Sequence, residues 1–133
     1  DPENHGYMVD LRQERIEKVQ VPDLEVDGDQ DFELLVVGWG STWGAIKGAV
    51  TRACKDGYKI GHVHLRHLNP LPSNLGELLS KATKVLVPEM NLGQLSKIIR
   101  AEYLIDAKSI TKVKGVPFTA GELDQVLREA LDD

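Results

Sequence analysis

The stretch Val85–Leu95, with the sequence VLVPEMNLGQL, decides the fold of this chain more than any other part of it. An apolar run ends at Pro88 and Glu89, and a helical pattern begins at Asn91, so the stretch predicts a buried strand that turns directly into a helix. Such a junction directs the first free N–H groups of the helix beyond the carboxyl end of a sheet. Open α/β folds bind ligands and partners there.

The same alternation of strands and helices extends on both sides of this junction. Apolar or alternating runs predict strands, and apolar residues at helical spacing predict helices. The predicted strands are Leu34–Trp39, Lys59–His67, Lys84–Pro88 and Ser109–Lys114; the predicted helices are Ser41–Lys55, Leu75–Lys81, Asn91–Tyr103 and a last one after a capping box at Thr119 and Glu122. Four strand–helix units with short connections predict a three-layer α/β/α sandwich around a mainly parallel sheet.

Residues 1–32 differ from this pattern, and we divide the chain there from an α/β domain of residues 33–133. Apolar residues on one helical face predict an amphipathic helix over residues 3–19. Six of the eleven residues 23–33 are acidic, which predicts an exposed connector with a short edge strand near Leu24–Val26. The chain begins with Asp1 rather than Met, which indicates a fragment or a processed chain.

Composition excludes several classes of function. The net charge of −5 divides into −8 over residues 1–33 and +3 over the remainder, and no basic surface with interleaved aromatic residues is predicted. We therefore expect no nucleic-acid binding. No apolar run approaches the roughly 20 residues of a membrane span, so we expect no membrane partner. Cys54 is the only cysteine, which excludes a cysteine-held iron–sulfur cluster in this chain and favours a reducing cytoplasm.

The glycine-rich turn Gly38–Gly44, GWGSTWG, follows the first buried strand. A dinucleotide fold needs G-x-G-x-x-G here and an acidic residue at the end of the next strand. The third glycine comes one residue late, and Arg66 and His67 stand where the acid is needed, which disfavours a nucleotide site. The alternative is a tight turn whose hydroxyls, at Ser41 and Thr42, cap the helix and leave N–H groups for an anion or for a partner's carboxylate.

Two further features allow a functional and a structural interpretation. His62 and His64 share one face of a predicted strand while His67 points the other way, so the three make a weak metal site. The alternative is a polar face packed on a neighbouring domain or on the edge strand. Glu89 ends a buried strand, where a carboxylate can be functional or can accept hydrogen bonds from neighbouring backbone N–H groups. The sequence leaves both pairs of alternatives open.

Several motifs together resemble one family, the 2-oxoacid:ferredoxin oxidoreductases. The similarity is to the carboxyl-terminal part of the alpha subunit of the 2-oxoglutarate type, and it covers nearly the whole chain with the motifs in the expected order. The motifs that carry it are Gly38–Gly44, Leu65–Pro72, Val87–Leu95, Lys112–Phe118 and the opening Asp1–His5.

The resemblance implies a fold like the carboxyl-terminal domain of transketolase, with a five-stranded sheet in the order 1-3-2-4-5 and an antiparallel first strand. The whole enzyme of this family decarboxylates a 2-oxoacid on thiamine diphosphate, passes electrons through iron–sulfur clusters to ferredoxin and forms an acyl-coenzyme A. Residues Gly28–Gln30 break the thiamine fingerprint, and no asparagine pair follows. We therefore expect no catalytic or metal-binding residue here, with thiamine diphosphate, magnesium and the clusters held elsewhere in the complex.

These expectations lead to two hypotheses. In the first, the chain is a non-catalytic assembly domain of an oligomeric complex. It would contact the thiamine-binding beta subunit and the remainder of the alpha subunit, with ferredoxin and coenzyme A as partners of the whole complex. In the second, it is an independent flavodoxin-like module that binds an anion or coenzyme A at its helix N-termini. The residues predicted for the interface or the anion site are Gly40, Ser41, Thr42, Asn69, Pro70, Glu89, Asn91, Gly93 and Gln94.

Overall fold

A computed structural model describes residues 22–66, 71–89, 94–111 and 118–132 of the chain, with only the main chain of Gln94 and Thr111. The predicted helix over residues 3–19 lies outside these ranges. The strands are β1 (Asp27–Gly28), β2 (Leu34–Trp39), β3 (Ile60–Leu65), β4 (Lys84–Glu89) and β5 (Ala107–Thr111). The helices are α1 (Trp43–Lys55), α2 (Leu75–Lys81), α3 (Gln94–Tyr103) and α4 (Ala120–Asp132), and a 3-10 turn over Gly40–Thr42 precedes α1.

The five strands form one sheet in the order β1-β3-β2-β4-β5. Strand β1 runs antiparallel to β3, with Asp27 opposite His62, and all other neighbouring strands are parallel. The structure thus confirms the mainly parallel sandwich, its strand order and its antiparallel edge. The edge strand lies at Asp27–Gly28, just after the predicted segment Leu24–Val26. Among the described residues, no helix combines the length and the hydropathy needed to cross a membrane.

The core consists of two apolar layers, one on each face of the sheet. Leu35 and Val37 of β2 belong to the layer under α2 and α3, while Leu34 and Val36 belong to the layer under α1 and α4. All four side chains are completely buried. This arrangement explains the continuous apolar run of β2, because a strand covered on both faces needs apolar residues at every position.

The acidic connector packs against the layer under α2 and α3 through its alternate residues. Leu24 and Val26 are half-buried there, and Phe32 is buried. The main chain of Leu24 also exchanges two hydrogen bonds with the Asn74 side chain: the Leu24 N–H donates to Oδ1 at 2.9 Å, and Nδ2 donates to the Leu24 carbonyl at 3.0 Å. The acidic residues in between, Asp23, Glu25 and Asp27, are left on the exposed side.

Candidate functional site

The strand order places a topological switch point between β2 and β4. The connection from β2 leads through α1 on one face to β3, whereas the connection from β4 leads through α3 on the other face to β5. Ligand sites of open α/β sheets lie at the carboxyl ends of two such strands. Because β2, β3 and β4 are parallel, the segments that follow them lie at the same edge of the sheet. The structure thus brings the predicted residues Gly40, Ser41 and Thr42 to the same edge as Glu89.

The pairing between these two strands stops shortly before a proline in β4. The pairing of β2 with β4 ends at Val36 and Leu86, although both strands continue for three more residues. The Lys84 N–H donates to the Glu33 carbonyl at 3.1 Å, so the nitrogens of alternate β4 residues, up to Pro88, face β2. Pro88 has no N–H to donate, so it cannot continue the ladder. The last residues of β2 and β4 are therefore unpaired with each other.

Glu89 is a buried side chain that caps the helix at the β4–α3 junction. Its side chain is buried, with a relative exposure of 2%. Oε1 accepts the Leu95 N–H at 2.6 Å, while Oε2 accepts the Ser96 N–H and the Ser109 hydroxyl, each at 3.3 Å. A carboxylate at a helix N-terminus is stabilised both by these N–H donors and by the helix dipole. Of the two alternatives left by the sequence, the structure shows the second, in which Glu89 accepts hydrogen bonds from neighbouring backbone groups.

The β2–α1 junction is built differently. Gly40 has φ of +66°, a left-handed conformation that glycine adopts without steric cost. The Thr42 hydroxyl donates back to the Trp39 carbonyl at 2.9 Å, and no side chain caps the 3-10 turn or α1. The prediction that the hydroxyls of Ser41 and Thr42 cap the helix is therefore wrong. The physical reason is that Thr42, the residue before α1, has helical φ and ψ of −79° and −7°, whereas a capping hydroxyl needs an extended backbone.

Two adjoining clefts open beside this junction, and the sequence analysis missed both. The first has a volume of about 600 Å³; we call it the tryptophan cleft, and it is lined by Trp39, Gly40, Trp43, His64, Leu65 and Arg66. The second has a volume of about 430 Å³; we call it the connector cleft, and it shares Trp43, His64 and Arg66 with the first but adds Pro22, Asp23, Leu24, Glu25, Asp27 and Pro72. The parallel pairing of β2 with β3 brings Trp39 next to Leu65, which could have predicted this cluster.

One histidine of β3, His64, lines both clefts, and His62 lies two residues before it on the same strand. His62 has a relative exposure of 1%, and both of its ring nitrogens lack a hydrogen-bond partner among the described residues. Burial, and secondarily the neighbouring His64, lower the pKa of His62 to about 4, while Asp27 acts in the opposite direction. The two imidazole rings meet edge to face, with 5.9 Å between their centroids. Asp27 of the edge strand lies opposite His62 in the sheet, and Lys47 of α1 also lies close enough to lower the pKa of this imidazole.

No donor set for a metal or a cluster occurs in the described part of the chain. No three His, Cys, Asp or Glu side chains converge within residues 22–66, 71–89, 94–111 and 118–132. His67 lies outside these ranges, as do the predicted interface residues Asn69, Pro70, Asn91 and Gly93 and the side chain of Gln94.

Comparison with known proteins gives a consistent result. Residues 33–123 match the family described as pyruvate:ferredoxin oxidoreductase core domain II. The chain is 53% identical to the 2-oxoglutarate oxidoreductase subunit KorA of Mycobacterium tuberculosis, over 98% of this chain and 20% of that subunit. It is 36% identical to the alpha subunit of 2-oxoacid:ferredoxin oxidoreductase 1 of Aeropyrum pernix, over 92% of this chain and 21% of that subunit. The chain thus spans about a fifth of the length of these relatives.

A solved structure agrees with these relatives. The 2-oxoglutarate:ferredoxin oxidoreductase of Magnetococcus marinus, determined with 2-oxoglutarate, coenzyme A and succinyl-CoA bound, superposes on 97% of this chain and 23% of its own with a TM-score of 0.85. The sequence identity to it is 31%.

Proposed function

Because this chain belongs to the family of pyruvate:ferredoxin oxidoreductase core domain II, we propose that it is a non-catalytic assembly domain within the alpha subunit of a 2-oxoglutarate:ferredoxin oxidoreductase. The observation that carries the proposal is the identity of 53% to a 2-oxoglutarate oxidoreductase subunit, spread over nearly the whole chain but over only a fifth of that subunit. A segment of this size, embedded in a much longer polypeptide, has the neighbouring parts of the complex as its immediate partners.

The geometry of the switch point supports an assembly role. Among the described residues at this edge, Glu89 has a buried carboxylate, which accepts hydrogen bonds from two N–H groups and a hydroxyl and so stabilises the fold. The described residues offer no donor set that fits a metal or an iron–sulfur cluster. On this proposal the thiamine-binding beta subunit and the remainder of the alpha subunit supply thiamine diphosphate, magnesium and the clusters. Ferredoxin and coenzyme A are then partners of the whole complex, which we expect to be cytoplasmic and oligomeric.

The proposal is tested by removing residues 33–133 from the alpha subunit. We expect the shortened subunit to copurify poorly with the beta subunit and to lose 2-oxoglutarate-dependent ferredoxin reduction, while the complete subunit shows both. A matched control carries Lys59→Ala, a substitution at an exposed ion pair with 3.9 Å between Lys59 Nζ and Asp31 Oδ2, and should behave like the wild type. Full association and full activity without residues 33–133 would refute the assembly role.

A further inference from the structure

His62 is a buried polar side chain whose hydrogen-bonding groups find no partner in the described part of the chain. The residue has a relative exposure of 1%, and neither ring nitrogen is bonded to a described residue. A neutral imidazole has one N–H donor and one acceptor nitrogen, and burial without partners is costly for both. An imidazolium at this position would cost more, because it adds a positive charge and a second N–H donor.

Burial is the main reason that the folded chain resists protonation of His62, and it lowers the pKa of the imidazole to about 4. The charges that act on the ring come from three elements. His64 of β3 and Lys47 of α1 oppose protonation, whereas Asp27 of β1, directly opposite His62, favours it. Asp27 Oδ2 also lies 4.0 Å from the Lys47 ammonium, which offsets part of its negative charge. The neighbour of His62 on β2, Val36, carries no charge.

The edge of the sheet is the side from which water reaches His62 at the lowest cost. Strand β1 consists of Asp27 and Gly28, both of them exposed, and these two residues pair with β3. The Asp29 N–H continues this contact by donating to the Ile60 carbonyl at 3.0 Å. On its other side β3 pairs over its full length with β2, a central strand of the sheet. Opening the edge therefore breaks far fewer contacts than opening the middle of the sheet.

We infer that protonation of His62 opens this edge locally: residues 27–31 detach from β3 and let water reach the imidazolium, while the rest of the sheet stays folded. Phe32 is buried in the core and Val26 packs against it, so the chain is held on both sides of the detached residues. Segments with few buried contacts are the ones that open at a low cost in free energy. This opening does not depend on the proposed assembly function.

Amide hydrogen exchange of the complete chain, followed by NMR at pH 7 and pH 5.5, tests this opening. The protection factor, which compares each amide with an unstructured peptide, removes the direct effect of pH on the exchange chemistry. We expect the protection factor of the Asp29 amide to fall about tenfold, because the opened form holds a solvated histidine with an ordinary pKa. Low concentrations of urea should leave this exchange unchanged, since a local opening exposes little surface.

Two matched variants identify the histidine that is responsible. His62→Leu should keep the protection factor of the Asp29 amide constant between the two pH values. His64→Leu makes the same substitution two residues further along β3 and should retain the tenfold fall. The wild-type measurement decides by itself if His62→Leu does not fold.

A protection factor of the Asp29 amide that is the same at pH 7 and pH 5.5 in the wild type would overturn the inference. An acid-induced loss that persists in His62→Leu, or that disappears in His64→Leu, would do the same. So would exchange of the Asp29 amide with the urea dependence of the amide of Val87, which is fully buried in β4, because the whole domain would then be unfolding.

Discussion

The two strand-to-helix junctions that flank the switch point differ in how the N–H groups at the start of the helix are bonded. At the β4–α3 junction, the Glu89 carboxylate is buried and accepts the first N–H groups of α3. At the β2–α1 junction, no side chain caps the helix, Ser41 is exposed, and Thr42 turns its hydroxyl back to the strand. The first junction is complete within the domain, whereas the second leaves the amino-terminal end of α1 without a side-chain partner beside two clefts.

The difference indicates a division of roles along one edge of the sheet. A buried carboxylate with three donors ties β4, α3 and β5 together, so the β4–α3 side supplies rigidity. The β2–α1 side carries Trp43, which is 45% exposed, and the exposed Arg66 lies nearby after the end of β3. We therefore expect substitutions at the first junction to change stability and substitutions at the second to change association.

Glu89→Ala should produce the largest loss of stability. It leaves the N–H groups of Leu95 and Ser96 without their buried acceptor, at a cost of about 3 kcal/mol in the free energy of unfolding. Urea denaturation of the chain at pH 7 measures this. The control Glu77→Ala removes an exposed carboxylate from the first turn of α2 and should cost less than about 0.5 kcal/mol. Equal effects of the two substitutions would remove the contrast between the junctions.

Acidification should destabilise the domain through His62 on β3. The folded state holds the pKa of His62 at about 4, below the ordinary value of 6.5, so the unfolded chain takes up the proton first as the pH falls. The contribution of His62 to the free energy of unfolding is fully present above pH 6.5 and is lost progressively as the pH falls to about 4. By pH 4.5 the loss should reach about 2 to 3 kcal/mol. Urea denaturation across this range checks it, and His62→Leu should lose that part of the pH dependence. If the free energy of unfolding of His62→Leu depended on pH as that of the wild type does, this prediction would be contradicted.

Thr119→Ala tests a helix that is capped by the ordinary local mechanism. The Glu122 N–H donates to Thr119 Oγ1 at 3.1 Å, which confirms the threonine cap of the predicted capping box at the start of α4, and the Thr119 hydroxyl donates to Glu122 Oε1 at 3.2 Å. Loss of this cap should lower the free energy of unfolding by about 1 kcal/mol. The variant Thr119→Ser keeps the hydroxyl, so its free energy of unfolding, measured by urea denaturation, should be close to that of the wild type. A Thr119→Ala effect as large as that of Glu89→Ala would show that burial adds nothing to a cap.

Ser41→Asp should have the smallest effect on stability and the sign opposite to the others. A carboxylate at the uncapped end of α1 should raise the free energy of unfolding by about 0.5 kcal/mol, through the helix dipole. Urea denaturation measures this gain, and the neutral variant Ser41→Asn should show less of it. A Ser41→Asp chain no more stable than the wild type would contradict an effect of the helix dipole at this end of α1.

Much of the fold was predictable from local pattern. The six apolar residues of β2 and the spacing in α2 gave the bounds that the structure has. The edge strand and β5 differ from their predicted positions by a few residues, because pairing decides them: Asp27 and Gly28 pair with His62 and Gly61, and Ala107 pairs with Val85. No local preference encodes such partners.

The candidate site was predictable only in part. Parallel strands made it certain that the turns after β2 and β4 would share an edge, so the location followed from the sequence. The role of Glu89 did not, because one of its three donors, Ser109, lies 20 residues further along the chain. The clefts also depend on tertiary contacts, since the connector is held beside them by the packing of Leu24 and Val26 and by the hydrogen bonds between Leu24 and Asn74.

Pro88 has a consequence for how the domain exists before it meets a partner. If side-chain packing alone separated the ends of β2 and β4, the two strands could pair in the isolated domain. The missing N–H of Pro88 is instead a covalent property, which no rearrangement restores. The free and assembled states should therefore share the same unpaired strand ends, and little conformational entropy is lost there on association. In that sense the crevice between the two strand ends is preorganised, because the proline is present whether or not another molecule is bound.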